Sequence, residues 1–209
     1  MTGISLKAQN IVPLSLLVAI QLLAVYCLSY QVFNVDLLGF LQETSGAMLA
    51  IGVLAGWLSY LIPADLKNSL VFLRWKNALP GHRFVQLAEN DARIDTDSLR
   101  ARVSNHDELR SDQKAQNSYW YREFYRPLIN QSEVLSIHKS YLLYRDVAAV
   151  SLIMAVLFTV AKLVLGPKLS AVTFHSGWIF LVTIAACIVA GSNAGRRLVT
   201  TAVAIGLCK

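Results

Sequence analysis

No feature constrains this chain more than its long uncharged runs. Residues 11–33 hold 23 consecutive residues without a charge, and residues 44–62 hold 19. A helix rises 1.5 Å per residue, so about 20 apolar residues cross the ~30 Å hydrocarbon core of a bilayer. A segment in hydrocarbon has no water to satisfy its amides, and a lone strand would leave them unpaired. Each run is therefore expected to be a membrane-spanning helix. Residues 147–166 form a third run, broken only by Lys162, and the uncharged stretch 169–195 accommodates a fourth at about residues 175–195.

The charges confirm the division. Of 13 acidic residues, only Asp36 and Glu43 lie outside residues 63–146, a segment with 13 Lys/Arg and 11 Asp/Glu. Basic residues stay on the cytoplasmic side of a membrane. With residues 63–146 inside, that side also holds Lys7, Arg196, Arg197 and Lys209, while only Lys162 and Lys168 face outward. The inverted arrangement would translocate the whole arginine-rich middle. The expected fold is an all-α integral membrane protein with four transmembrane helices and a helical cytoplasmic insert between helices 2 and 3. The expected division is residues 1–62 (spans about 11–33 and 44–62), a cytoplasmic domain over 63–146, and residues 147–209 (spans about 147–166 and 175–195). Both termini then lie in the cytoplasm, in a multi-pass protein of the inner membrane. The first run is too long for a signal peptide and lacks a small-residue cleavage site, so it is expected to stay.

Residues 198–208 are apolar but too short to span, and are expected to prolong the fourth helix past the headgroups or to lie along the inner surface. Lys162, near the outer end of its span, is expected to snorkel to the headgroups. Gln21, Ser151, Thr159 and Thr183 are among the few polar groups in the spans, and none of these four is ionisable. That argues against ion-coupled transport, which uses buried charges. A pore lined by Gln21 or small residues in an oligomer stays open. Gly52 and Gly56 in the second run, and Gly191 and Gly195 in the fourth, are spaced four apart, which puts each pair on one helix face and allows close backbone approach. They are candidates for an oligomer interface or for packing within the chain.

The insert reads as helical throughout. Residues 64–77 suggest an amphipathic helix with Leu66, Leu70, Val71 and Leu73 toward one side. Residues 79–82 (Leu-Pro-Gly-His) suggest a type II turn. Residues 84–88 suggest a short helix, and Asp95 or Thr96 a cap for another that carries Leu99 and Val103. Ser111 is expected to cap an aromatic helix that ends at Pro127. Ser132 is expected to cap a helix with no breaker before the third span. Charge is graded along the insert: residues 64–88 carry four basic residues and one acid, residues 89–112 four and seven, and residues 113–146 five and three. Basic ends beside the membrane suit anionic inner-leaflet headgroups, which accounts for the net charge of +6 without nucleic acid.

No catalytic or metal signature stands out, and no cofactor is expected. Cys27, Cys187 and Cys208 have no ligand or disulfide spacing and read as small buried hydrophobes. The acidic run Asp91, Asp95, Asp97, Asp107, Glu108 and Asp112 reads as solvated surface. Two groups are candidates for binding a ligand or partner. One comprises Arg74, Lys76, His82 and Arg83, basic groups about a turn that suit an anion. The other comprises Tyr121, Arg122 and Arg126, since rings and guanidinium groups can stack a base and hold a phosphate, although five aromatics at helical spacing also suit a core. The layout resembles that of small membrane proteins of bacterial signalling and anti-phage defence. The expected function is a non-enzymatic membrane sensor or anchor whose insert couples a cytosolic protein partner to the bilayer. The alternative is a homo-oligomeric, ligand-triggered effector or pore that perturbs the membrane.

Overall fold

A computed structural model of the chain describes residues 5–31, 45–103 and 105–208. All regular structure among these residues is helical. The order is α1 (Leu6–Gln9), α2 (Ile11–Tyr30), α3 (Ser45–Leu61), α4 (Ala64–Phe72), a 3-10 turn (Pro80–Arg83), α5 (Phe84–Glu89), α6 (Thr96–Arg102), α7 (His106–Ser111), α8 (Gln113–Trp120), a π turn (Tyr121–Tyr125), α9 (Arg126–Leu128), α10 (Ser132–Val164) and α11 (Trp178–Leu207). Among the described residues, three helical segments are long and apolar enough to cross a membrane: α2, α10, and residues Phe174–Leu207, which comprise α11 and the 3-10 turn before it. Helix α3 has 17 residues and rises about 26 Å. Residues 32, 33 and 44, at the ends of the first two expected spans, lie outside the described residues, as does the side-chain environment of Gly52.

The chain groups into two compact units, Met1–Lys67 with Leu142–Val189, and Asn68–Tyr141 with Ala190–Lys209. In the first unit α2 packs along α3. Gln21 is 4% exposed, and its Oε1 accepts from Ser151 Oγ at 2.8 Å while its Nε2 donates to the Leu17 carbonyl. The amide thus ties α2 to α10. Ser29 Oγ likewise bonds Ser176 Oγ at 3.1 Å. Lys162 Nζ donates to the carbonyls of Leu169 (2.9 Å) and Val172 (2.6 Å) in the loop after α10. These bonds close that loop onto the end of α10.

The second unit has an apolar core. Phe84, Val85, Leu99, Val103, Phe124 and Val134 are 0–2% exposed and pack with Leu198, Val199, Ala202 and Val203. The apolar tail of the sequence prolongs the fourth helix, the first of the two expectations. It is one stripe of α11, at i, i+1, i+4 and i+5, and fills the middle of this unit. At 30 residues α11 rises about 45 Å, well beyond what a bilayer core requires. Gly206 makes room there for Phe124, whose Cδ1 would lie 2.7 Å from an added Cβ. Trp120 Nε1 donates to the Val199 carbonyl at 3.4 Å. Buried Gln116 accepts from the Val85 amide at 3.3 Å and donates to the Arg110 carbonyl at 3.0 Å, so the core encloses no unpaired amide there.

Local signals in the insert hold in part. Asp95 caps α6, accepting from Ser98 N at 2.8 Å and Ser98 Oγ at 2.6 Å. These bonds hold its carboxyl below the usual carboxylate range. Asp112, not Ser111, caps α8, because its Oδ1 accepts from the amides of both Lys114 and Ala115. The Ser111 hydroxyl instead donates back to the Glu108 carbonyl and closes α7. The aromatic helix does not stop at Pro127. It widens into the π turn Tyr121–Tyr125, and Pro127 sits in the first turn of α9, where a missing N–H costs nothing. Helix α10 runs unbroken from Ser132, as expected. Helix α4 ends at Phe72, and Leu66 and Leu73 are exposed while Lys67 and Asn68 are buried. Val71 is buried and Leu70 half-buried as expected, and polar partners bring in the other two: Lys67 reaches a carboxylate, and the Tyr141 hydroxyl donates to Asn68 Oδ1 at 2.7 Å. Cys187 is buried and Cys27 half-buried, but Cys208 is exposed.

Candidate functional sites

Each unit holds one concentration of charge that its fold has to build. In the first unit, Lys67 Nζ lies 3.1 Å from Asp146 Oδ1, with the two side chains 3% and 7% exposed. The same ammonium donates to Ser59 Oγ at 2.8 Å. Arg145 adds two bonds to that carboxylate oxygen, from Nε at 3.2 Å and a terminal nitrogen at 3.1 Å. Burial lowers the Lys67 pKa, and Asp146 opposes the shift. Lys7 contributes a further positive charge and places its ammonium 3.2 Å from the centre of the Tyr60 ring. A cavity of about 90 Å³ adjoins the group, lined by Ser5, Lys7, Asn10, Gly56, Ser59, Tyr60 and Asp146 among others. Sequence reading missed this site. Lys67 and Asp146 stand 79 positions apart, just outside the uncharged runs, where each passes for ordinary surface charge.

The second site forms around the turn Pro80–Arg83. Gly81 does not adopt positive φ, so this is a 3-10 turn and not a type II turn. Glycine is needed for space, since an added Cβ would meet Asn117 Oδ1 at 2.3 Å and Trp120 at 2.9 Å. His82 Nδ1 lies 2.8 Å from the Gln113 carbonyl, so it carries the hydrogen and donates. Leu73 adopts a left-handed conformation (φ 51°), and the chain turns so that the Arg74 amide donates to the Ser69 carbonyl at 3.1 Å. Phe72 and Pro80 meet Gly195 of α11. A Cβ at Gly195 would sit 2.5 Å from Phe72 Cζ and 3.5 Å from Pro80 Cγ. That three-way contact brings the chain near Arg74, Arg83 and Arg196 together, and burial, with the charges of Arg74 and Arg196, pushes the Arg83 pKa down. Arg83 Nε is enclosed and has no hydrogen-bond partner among the described residues.

The remaining candidates fall elsewhere. Lys76 is exposed. Tyr121 is half exposed, its ring 5.5 Å from that of Tyr125. Arg122 is exposed and its Nε donates to Glu123 Oε1 at 2.6 Å; Arg126 is also exposed. Trp120, Phe124 and Tyr125 belong to the core. The Tyr125 hydroxyl lies 2.7 Å from His138 Nδ1, and burial raises its pKa. Of the glycines, Gly191 and Gly195 are buried, and Gly195 has its open face filled by the chain's own Phe72 and Pro80. At Gly56 an added Cβ would meet nothing within 4 Å. Among the described residues, no three His, Cys, Asp or Glu side chains gather as a metal site would require. Comparison with protein-family models, with curated proteins and with solved structures finds no match to this chain.

Proposed function

We propose that this chain is a four-span protein of the cytoplasmic membrane, with α3 as the second span and both termini inside. Its domain between the second and third spans lies in the cytoplasm and couples a cytosolic protein partner to the membrane, with no chemistry of its own. The observation that carries this reading is the large exposed apolar surface of the first unit. Of the 29 exposed large hydrophobic residues among those described, 25 belong to it, while Gln21, Ser59, Ser151, Lys67 and Asp146 are buried. Apolar surface on that scale suits hydrocarbon and not water. The second unit offers a partner an acidic surface, with Asp95, Asp97, Asp107, Glu108 and Asp112 all exposed. Helices α10 and α11 each contribute residues to both units without a break, a covalent route for coupling.

The test combines a reporter fused at residue 100 with affinity capture of the intact chain in mild detergent. The reading expects a cytoplasmic reporter signal and a retained soluble protein that is lost when Asp107, Glu108 and Asp112 are changed to Lys. An external reporter, or capture indifferent to the charge reversal, defeats it. The open face of Gly56 favours a second reading, a homo-oligomeric effector that disturbs the membrane. A monomer in native membranes, unchanged by Gly56→Leu, removes that alternative.

A further inference from the structure

We propose that Arg74, Arg83 and Arg196 form a binding site for an anionic phosphate group. Like charges gather at a cost in free energy, and among the described residues none of these three forms an ion pair with a carboxylate. Arg93, Arg110, Arg122 and Arg145 are each within 3.3 Å of an acid, and Arg100, Arg102, Arg126 and Arg197 are unpaired but exposed, whereas Arg83 alone among the arginines encloses a side-chain nitrogen without a partner among the described residues. The fold nevertheless spends a left-handed leucine, a close ring-on-glycine contact and a 3-10 turn on converging this particular set. Arg83 is the centre of it, half-buried, with an enclosed Nε that no protein acceptor satisfies. Arg196 is exposed, so one side of the group is open to a ligand. Guanidinium groups present planar paired donors that match the oxygens of a phosphate, and several of them around one anion neutralise both its charge and their own repulsion. Two sources share this chemistry, a phospholipid headgroup and a soluble phosphate. The site is independent of the partner reading above, since phosphate binding persists or fails whether or not a protein is captured.

The test uses the intact chain in a phosphate-free sugar detergent, following the thermal unfolding midpoint in inorganic phosphate against chloride at equal ionic strength. A second arm reconstitutes the chain in phosphatidylcholine vesicles with and without phosphatidic acid. In the wild type, phosphate or phosphatidic acid raises the midpoint. A response to the lipid alone assigns the headgroup as the source, and a response to inorganic phosphate assigns a soluble ligand. Arg83→Gln and Arg196→Gln have a signature that a structural role alone does not produce. Each raises the midpoint in chloride, because repulsion is relieved, and weakens the apparent phosphate affinity by about tenfold or more. Arg110→Gln, at an exposed arginine paired with Glu89, leaves the response intact. An anion response shared equally by wild type and both variants, or no wild-type response in either arm, overturns the proposal.

Discussion

The two units bury similar side chains but differ in what they leave outside. In the first, large apolar side chains such as Val12, Val53, Leu163 and Val182 are 64–77% exposed, while polar groups sit inside beside Leu14, Val150 and Phe180. In the second, the aromatic and branched side chains are inside, and only Leu73, Trp75, Tyr121 and Ile129 are large hydrophobes left exposed. Water rewards the burial of apolar surface, which suits the second unit. In lipid that reward vanishes between helices, and packing and interhelical hydrogen bonds have to hold them together. The difference teaches that hydrophobicity alone does not identify a core. In this chain both units bury a phenylalanine (Phe180 and Phe84) and a glutamine (Gln21 and Gln116), and what sets the first apart is its buried ion pair and its exposed apolar faces.

The sharpest way to break the comparison is to remove the centre of the aromatic core. Phe124, 2% exposed and 5.9 Å from the Phe84 ring, should cost about 3–5 kcal/mol as Phe124→Ala. Leu157→Ala, on an exposed face of the first unit, should stay within about 0.5 kcal/mol. Thermal unfolding in detergent checks both, and equal losses would erase the contrast.

A comparable loss, about 3 kcal/mol, is expected for Asp146→Ala, which leaves the Lys67 ammonium enclosed without its carboxylate. Combining Asp146→Leu with Lys67→Met should recover most of the loss, because the uncompensated charge goes too. A double variant worse than either single change would assign the pair a different role. Smaller is the effect of Ser151→Ala, which deletes the bond to Gln21 and should cost about 0.6 kcal/mol.

The smallest effect is pH-dependent and belongs to the second unit. Asp91 is held far below the usual carboxylate range, chiefly by the Arg93 guanidinium at 2.7 Å, with Thr200 of α11 also contributing. Its folded pKa lies below its unfolded value, so the stabilisation is complete above the unfolded value of about 3.9 and fades as pH falls below it. Asp91→Asn should therefore lower the unfolding midpoint at neutral pH, and the gap from wild type should shrink on acidification below about 4. A gap that is constant with pH would mean that packing, not charge, is what Asp91 supplies.

How much of this was legible beforehand follows from the range of each interaction. The uncharged runs dictated helices, since lipid leaves the backbone no alternative, and the helix from Ser132 into Val164 followed from the lack of a breaker. The cap at Asp95 was legible because its partner is three residues away. The cap at Asp112 was not, because Ser111 beside it is as good a candidate by type and only geometry separates them. For the arginine group the sequence pointed to Arg74 and Arg83 but spent Arg196 on membrane orientation.

Amino-acid order by itself determined that the chain is helical, where apolar segments long enough to cross a membrane lie, and where its charge collects, because those properties arise from single residues and their near neighbours. Tertiary structure alone decided that the stripe from Leu198 to Val203 completes the core around Phe84 and Phe124, that Lys67 faces Asp146, and that Arg196 joins Arg74 and Arg83. Each of these joins positions roughly 60 to 120 residues apart, and no local periodicity encodes which distant side chain will fill a given space.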